Sequence, residues 1–347
     1  MKTPKKLIDR VLKENNLTES EIIKLLKLEG EELTYLWQKA DEVREKYLGK
    51  KIYLRAIIEF SNICKRNCLY CGLRKDNKKV ERYQMKVDDI LEASLKAIKA
   101  GFRTVVLQSG EDNYPADKIA WVIEKIKKFD SSAAVTLSLG ERDYEEYEYW
   151  RKKGADRYLL KHETTDKELY QTLHPDLNYS ERIECMEMLF DLDYQVGSGN
   201  IIGLPGQNEE ILAKDIGFFK KHNFHMLGIG PLIIHPETPL KNSFENENKE
   251  ERTKELIDKT LKVMAISRLL IPLTHIPATT AIATLSKNGR EQALKRGANV
   301  IMPDLTPKKF SERYEIYPGR KSAKNIEKLA SSIGRKVSYS AGHSPMK

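Results

Sequence analysis

The sequence is poor in cysteine, with four in 347 residues, and it has no long apolar run. Its longest uninterrupted apolar stretch, residues 227–234, falls far short of the roughly 20 residues that a membrane-spanning helix needs. The N-terminus, Met1-Lys-Thr-Pro-Lys-Lys, leads into a charged segment without an apolar signal region, which predicts a cytoplasmic protein. Four cysteines are too few for a disulfide scaffold. Basic tracts interleaved with aromatics, the mark of a base-stacking nucleic-acid surface, are also missing. An apolar fraction of 40% excludes disorder. What remains is a soluble globular chain, long enough for two ordinary domains or for one α/β barrel with attachments.

Charge is spread unevenly. Residues 65–79 hold six basic side chains against one acidic, and residues 306–347 hold ten against three, so the rest of the chain is close to neutral. Both segments read as solvated surface with some attraction for anionic ligands, and not as a nucleic-acid interface.

The first fifty residues have helical patterns. Thr18 and Glu21 are spaced as a capping box, and Ile22, Ile23, Leu25 and Leu26 supply an apolar stripe. An N-terminal helical extension is therefore expected over residues 1–50. From Tyr53 onward, short apolar runs rich in β-branched residues alternate with amphipathic stretches. The runs lie at 53–60, 104–108, 133–139, 157–161, 195–202, 225–234, 275–281 and 298–302. Helical patterns between them include 88–100, with Asp88 as its cap, 115–129, 180–192 and 208–222. Lys99-Ala-Gly101, Lys152-Lys-Gly154 and Lys295-Arg-Gly297 each precede a new run, as left-handed helix ends would. Eight strands alternating with helices predict an α/β protein, a (β/α)8 TIM barrel over residues 51–319. An open doubly wound sheet is the alternative. A short basic tail, residues 320–347, is expected to be helical.

A barrel gathers catalytic groups where strands end and loops begin. Cys64 follows the first run, Ser109-Gly110-Glu111-Asp112 the second, and Thr136 and Ser138 close the third. His162 and Glu163 follow the fourth, Gly203-Leu-Pro-Gly206 the fifth, His235 the sixth and Thr279-Thr280 the seventh.

The sharpest signal is Cys64-Lys-Arg-Asn-Cys68-Leu-Tyr-Cys71. Three thiolates on a short loop can hold three irons of a cubane 4Fe-4S cluster and leave the fourth open. Structural zinc would want a fourth ligand at similar reach, and the nearest histidine, His162, is almost a hundred residues away. Lys65, Arg66, Arg74 and Lys75 would oppose the negative charge of a thiolate-ligated cluster. Cys185, alone in an apolar helical pattern, reads as a buried small hydrophobe.

This Cys-x3-Cys-x2-Cys spacing, with the aromatic Tyr70 before the last cysteine, resembles the signature of radical S-adenosylmethionine (SAM) enzymes. The resemblance implies that the open iron chelates the amino and carboxylate groups of SAM. An electron from the reduced cluster would then break a sulfonium C–S bond and release a 5′-deoxyadenosyl radical. Ser109-Gly110-Glu111, followed by Asp112, is similar to the Gly-Gly-Glu motif that meets the methionyl amino group, with Ser replacing the first Gly. Gly199-Asn-Ile201-Ile-Gly203 is similar to a motif near the adenine, with Gly206 where an acidic residue is frequent; its plainer reading is a strand-ending turn. Glu163 and Arg182 are similar to the pair holding the ribose hydroxyls and the SAM carboxylate. Without the resemblance, Arg182 reads as a helix-surface arginine.

Within the superfamily the chain most resembles the HydE group, the radical SAM maturases of FeFe-hydrogenase, from the N-terminal helices to about Gly319. The strings that carry this include Arg55-Ala-Ile-Ile-Glu-Phe-Ser-Asn62, Cys68-Leu-Tyr-Cys-Gly-Leu-Arg74, Val135-Thr-Leu-Ser-Leu-Gly-Glu141 and Ile276-Pro-Ala-Thr-Thr-Ala281. The resemblance implies a role in building the di-iron subcluster. A radical would attack the sulfur of a cysteine-bound iron carbonyl cyanide precursor delivered by the tyrosine-cleaving maturase, and an iron species would pass on toward the scaffold GTPase. Partners would be these maturases, met transiently, and a reductant such as ferredoxin or flavodoxin. Arg55, Thr136, Ser138, Thr279 and Thr280 would make the barrel lumen friendly to anions, and Tyr314 and Tyr317 would lie near the upper cavity. On the residues alone, Arg55 could equally form a structural ion pair on the face it shares with Ile57 and Glu59. The two tyrosines could equally be packing aromatics.

Two rival readings stand beside this one. A related radical SAM enzyme would be a methylornithine-forming mutase or a biotin-synthase-like sulfur inserter, although the latter needs ligands for a second cluster and only Cys185 is left. The other rival is a zinc-stabilised basic protein that binds nucleic acid. Some members of the resembled group carry further cysteines after the last strand for an accessory cluster, and this tail has none. Anaerobic reconstitution should therefore load about four irons per chain, as one cubane requires; about eight would overturn the single-cluster expectation.

Overall fold

The computed structural model describes residues 4–346. Three helices open the chain: α1 (Pro4–Glu14), α2 (Glu19–Leu26) and α3 (Gly30–Leu48). The capping box sets the start of α2, where the Thr18 hydroxyl accepts from the Glu21 N–H and the Glu21 carboxylate accepts from the Thr18 N–H. Among the described residues eleven strands follow. They are β1 (Lys51–Leu54), β2 (Ala56–Ser61), β3 (Thr104–Ser109), β4 (Ala134–Ser138), β5 (Arg157–Leu159), β6 (Gln195–Ser198), β7 (Ile201–Ile202), β8 (Met226–Leu227), β9 (Gly230–Pro231), β10 (Val300–Ile301) and β11 (Lys336–Ser338). The helices after α3 are α4 (Val87–Lys99), α5 (Ala116–Phe129), α6 (Tyr144–Lys152), α7 (Lys167–Leu173), α8 (Tyr179–Asp191), α9 (Glu209–His222), α10 (Lys249–Leu270), α11 (Thr280–Leu285), α12 (Gly289–Leu294), α13 (Lys308–Ser311) and α14 (Ile326–Ser332).

The strands close into a ring. β2, β3, β4, β5, β6 and β8 pair in that order, all parallel. Met226 of β8 then bridges His275, Pro277 bridges Val300 of β10, β10 pairs with β1, and Asp304 bridges Ile57 of β2. This circuit excludes the open sheet. The first run is broken at Arg55, where the chain changes partners from β10 to β3. The seventh station is made of bridges and not of the full strand expected over 275–281, because Pro277 brings no N–H to a ladder and α11 starts at Thr280. Helical crossovers force parallel pairing, and parallel pairing sends every strand end to the same mouth.

Gly101, Gly154 and Gly297 do take positive φ, at 97°, 108° and 107°. Asp88 lies in the first turn of α4, one of two acids at its positive end, whereas Lys86 holds the cap position. Outside the barrel α2 packs on α9 and α3 on α10, which buries Ile22, Leu25 and Leu36.

The tail departs from expectation. α14 is helical, but β11 then joins β1 in parallel, and the residues beyond it close the lower mouth of the barrel. The Ala341 carbonyl accepts from Arg157 (2.8 Å) and from the Thr104 hydroxyl (2.9 Å), and the Gly342 carbonyl accepts from Arg55 (3.3 Å). Arg335 is buried and donates to the carbonyls of Ala298 and Leu294 and to Asp41, which also holds Arg44. The basic character of the segment is thus partly spent on inward bonds to backbone carbonyls, which composition does not reveal. Since tail carbonyls partner two buried guanidinium groups, removing residues 341–347 should cost about 3 kcal/mol, the scale of two hydrogen bonds to charged groups. A lower urea midpoint with native helix content retained below it would show this.

Candidate active site

The strand ends open on a cavity of about 430 Å³, within the range of small-molecule sites. Of the residues singled out in the sequence, Cys68, Tyr70, Cys71, Ser109, Glu111, Ser138, Glu163, Arg182, Ile201, Thr279, Thr280, Tyr314 and Tyr317 line it.

Cys64, Cys68 and Cys71 stand on the loop leaving β2. All three are free cysteines, partly exposed as residues. Burial pushes the Cys71 thiol up to about 12, the neighbouring Cys64 sulfur adds to this, and burial likewise raises Cys64 and Cys68. Sulfurs so placed do not ionise together unless a cation takes them, so the donor set fits a thiolate-ligated cluster. Among the described residues no three Cys, His, Asp or Glu side chains converge on the position of a single ion. Cys185 is buried on α8, where its thiol points to the Arg142 carbonyl at 3.8 Å.

Tyr70, between two of the cysteines, has its hydroxyl 2.8 Å from His174 Nε2. The other ring nitrogen of His174 lies 2.7 Å from the Tyr170 carbonyl, so Nδ1 carries the proton and Nε2 accepts from Tyr70. Burial holds His174 down to about 4, which keeps the ring neutral.

Glu111 and Arg182 face each other across 4.0 Å. Behind them, Arg66 of the cysteine loop bonds both Glu111 and Glu141, and Glu141 touches Arg182 at 2.8 Å. Arg182 also donates to the Tyr170 hydroxyl (3.2 Å) and is buried, so its plain reading as a surface arginine fails. Glu163 adopts a left-handed backbone, φ 64°, with its N–H on the Gly199 carbonyl, and its carboxylate meets Lys161 at 2.7 Å. Gly140 lets this corner close: with φ 78°, a Cβ there would stand 2.3 Å from both Glu111 Cγ and Oε2.

Cys68 and Cys71, a carboxylate–guanidinium pair and a further carboxylate line one barrel cavity, with Cys64 on the same loop but outside the lining, and residues 58–219 match a family model described as the radical SAM superfamily. The chain is also 49% identical to the [FeFe] hydrogenase maturase subunit HydE of Thermotoga maritima, across 82% of this chain and 79% of that protein. The chain belongs to the HydE family of radical SAM enzymes. A 3-methylornithine synthase of Methanosarcina acetivorans is 29% identical over 84% of this chain and 81% of its own. The crystal structure of a methylornithine synthase superposes with a TM-score of 0.81 at 25% identity, covering 96% of this chain and 97% of that one. As a member of this family the chain binds a 4Fe-4S cluster and SAM.

Several expected site residues fall elsewhere in this HydE-family barrel. Arg55 and Thr136 lie in a separate chamber of about 10 Å³ with Arg157, under a floor made by Leu159 and Met226. The reason is height: Arg55 is four residues below Glu59 and Thr136 two below Ser138, and two strand residues span roughly 6.6 Å. Asp112 is buried and takes Gln84 and the Tyr114 N–H, with Arg142 at 3.6 Å, so it braces the loop and does not reach the cavity. Gly110 packs on Ile63 and Cys64, Gly199 on Gly228 and Gly203 on Leu256, all behind the lining. Thr279 caps α11 through the Ile282 N–H as well as facing the cavity.

Other residues at or behind the cavity carry little local mark in the sequence. Glu141 was visible only inside a resembling string, Arg66 only as a counter-charge, and nothing marked Lys161 or His174. Glu59 is bound by Arg320, which also donates to the Tyr314 carbonyl, so Glu59 is not the partner of Arg55. Burial lifts Glu59 to about 7 against the pull of Arg320. Because Gly140 leaves room for Glu111, Gly140→Ala should weaken SAM binding about tenfold, or about 1.4 kcal/mol, at unchanged iron content. Equilibrium dialysis under anaerobic conditions measures this, and an unchanged affinity would remove Glu111 from the site.

Proposed function

We propose that this chain acts in FeFe-hydrogenase maturation, on a small cysteine-derived iron carbonyl cyanide species held in the barrel cavity. One observation carries the reading. The cysteine loop, Glu111, Arg182 and Glu163 share a single cavity with the hydroxyl-bearing side chains of Ser138, Thr279, Thr280, Tyr314 and Tyr317.

When bound, the cluster and SAM supply one-electron reductive cleavage of a sulfonium carbon–sulfur bond. The chain binds, orients and keeps water out. The Glu111 carboxylate stands ready for an ammonium group, Arg182 for a carboxylate and Glu163 for two sugar hydroxyls, all charge-assisted geometries. Ser138, Thr279, Thr280, Tyr314 and Tyr317 offer hydrogen bonds to a polar or anionic substrate. Ile201, Leu232, Ile233 and Met302 keep the remaining wall apolar, which holds solvent away from reacting atoms.

Exposed Lys65, Lys75, Lys78 and Lys79 flank the cysteine loop. They offer a complementary face to an acidic electron donor such as ferredoxin or flavodoxin, and the other maturases are met transiently. A cytoplasmic setting suits three free thiols awaiting metal. No helix among the described residues is long and apolar enough to cross a membrane.

With cluster and a reductant, the protein should yield 5′-deoxyadenosine and methionine from SAM. Together with its partner maturases it should activate apo-hydrogenase, and Cys71→Ser should do neither. Methylornithine from lysine, or biotin from desthiobiotin, in place of hydrogenase activation would assign the chain to the related activities instead. Cys185, outside the cavity lining, is the one cysteine left over for a second cluster of the sulfur-inserting kind.

A further inference from the structure

Four charged side chains of alternating sign form a ring at the edge of the cavity. Arg66, two residues past Cys64, bonds Glu111 through Nε, and its Nη2 bonds Glu141 Oε2 at 2.9 Å. Glu141 Oε1 lies 2.8 Å from Arg182 Nε, without the alignment of a hydrogen bond, so this buried oxygen has no hydrogen-bond partner. The last edge, Arg182 to Glu111, spans 4.0 Å and is the longest of the four. Glu111 and Arg182 line the cavity, while Arg66 and Glu141 stand behind them.

We propose that Arg66 and Glu141 are positioning residues that hold Glu111 and Arg182 apart, so that the open edge of the ring receives the α-ammonium and α-carboxylate of the SAM methionyl group. The inference rests on SAM occupying this cavity. Opposite charges drawn together without a brace would close on each other, and at ~4 Å their attraction amounts to several kcal/mol in a partly buried setting. Arg66 opposes closure by engaging Glu111 from the rear, and Glu141 does the same for Arg182. Insertion of a zwitterion then turns a ring of four alternating charges into one of six: guanidinium, carboxylate, ammonium, carboxylate, guanidinium, carboxylate. No net charge is added, and each group keeps an opposite neighbour on either side. Arg66 also ties this corner to the cysteine loop, since its Nη1 donates to the Asp176 carbonyl (3.1 Å) and its own carbonyl accepts from the Lys75 N–H (2.8 Å). The amino-acid end of the ligand and the metal-binding loop are thereby held in one frame.

The test compares two ligands on cluster-loaded protein: S-adenosylhomocysteine, which carries the zwitterion, and 5′-methylthioadenosine, which lacks it. Glu141→Gln and Arg66→Gln should each weaken S-adenosylhomocysteine by about 10- to 100-fold, the scale for groups that orient a ligand-binding residue. Affinity for methylthioadenosine should stay unchanged. Arg66→Lys keeps the charge but loses the two-pronged fork and should fall between. Equal losses for both ligands would reduce the pair to a structural role, and no loss for either would overturn the proposal outright. Circular dichroism and iron content identify a variant that has lost its fold, in which case the other substitution decides. If the unaltered protein does not prefer S-adenosylhomocysteine to methylthioadenosine, it is the placement of SAM in the cavity that fails.

Discussion

Three sulfurs share one loop where burial opposes their ionisation until a cation takes them, and the loop that presents them has no regular structure of its own. Its shape is imposed from outside. Arg82 donates to the carbonyls of Asn62, Leu73, Arg74 and Asn77, and so stitches the loop's two ends together. Backbone bonds then fix it to neighbours from distant parts of the chain: Lys65 to Glu111, Leu69 to Leu173 and Gly72 to Ile316. Those anchors come from different stations of the ring, so a thiol arrangement fit for a cluster presupposes a closed barrel.

Closure also stratifies the interior. Inward side chains stack in layers, and a difference of two residues decides which layer a group joins. Ser138 faces the substrate-sized cavity, whereas Thr136 and Arg55 lie below Leu159 and Met226, in a chamber that holds little more than a water molecule. Among the described residues the lower guanidinium groups of Arg55 and Arg157 have no carboxylate partner, and they lean on carbonyls of the chain's own tail. Burial disfavours both charges, most strongly at Arg55, where the neighbouring Arg157 adds to the effect. Upper and lower halves of the barrel thus solve different problems: one presents charge to a ligand, the other neutralises charge with backbone.

The parts of the site that could be read in advance were those encoded locally. Cysteine spacing is such a property, as is the alternation of apolar runs with amphipathic stretches, and the capping box at Thr18. Glu111, Glu163 and Arg182 were recognisable only through resemblance, since nothing in the neighbourhood of Arg182 along the chain distinguishes it from a solvent-facing helical arginine. Glu141 and Arg66 are 75 residues apart in numbering and meet only because β2, β3 and β4 are neighbours. Asp112 was misplaced for the same reason: adjacency to Glu111 in sequence does not say which of two consecutive carboxylates turns toward the cavity and which toward the loop.

The amino-acid order by itself determined the chemistry on offer: a triplet of metal-ready thiols, a barrel-forming rhythm, and a family likeness over most of the chain. These are short-range or pattern properties, carried by spacing and periodicity, and they survive without coordinates. Only the tertiary structure decided who faces whom. It gave Glu59 to Arg320 instead of Arg55, turned a basic tail inward as a stopper, and set Arg66 and Glu141 behind the Glu111–Arg182 pair. Ion pairing and depth depend on distances between residues far apart in the chain, and those distances exist only once the ring has closed.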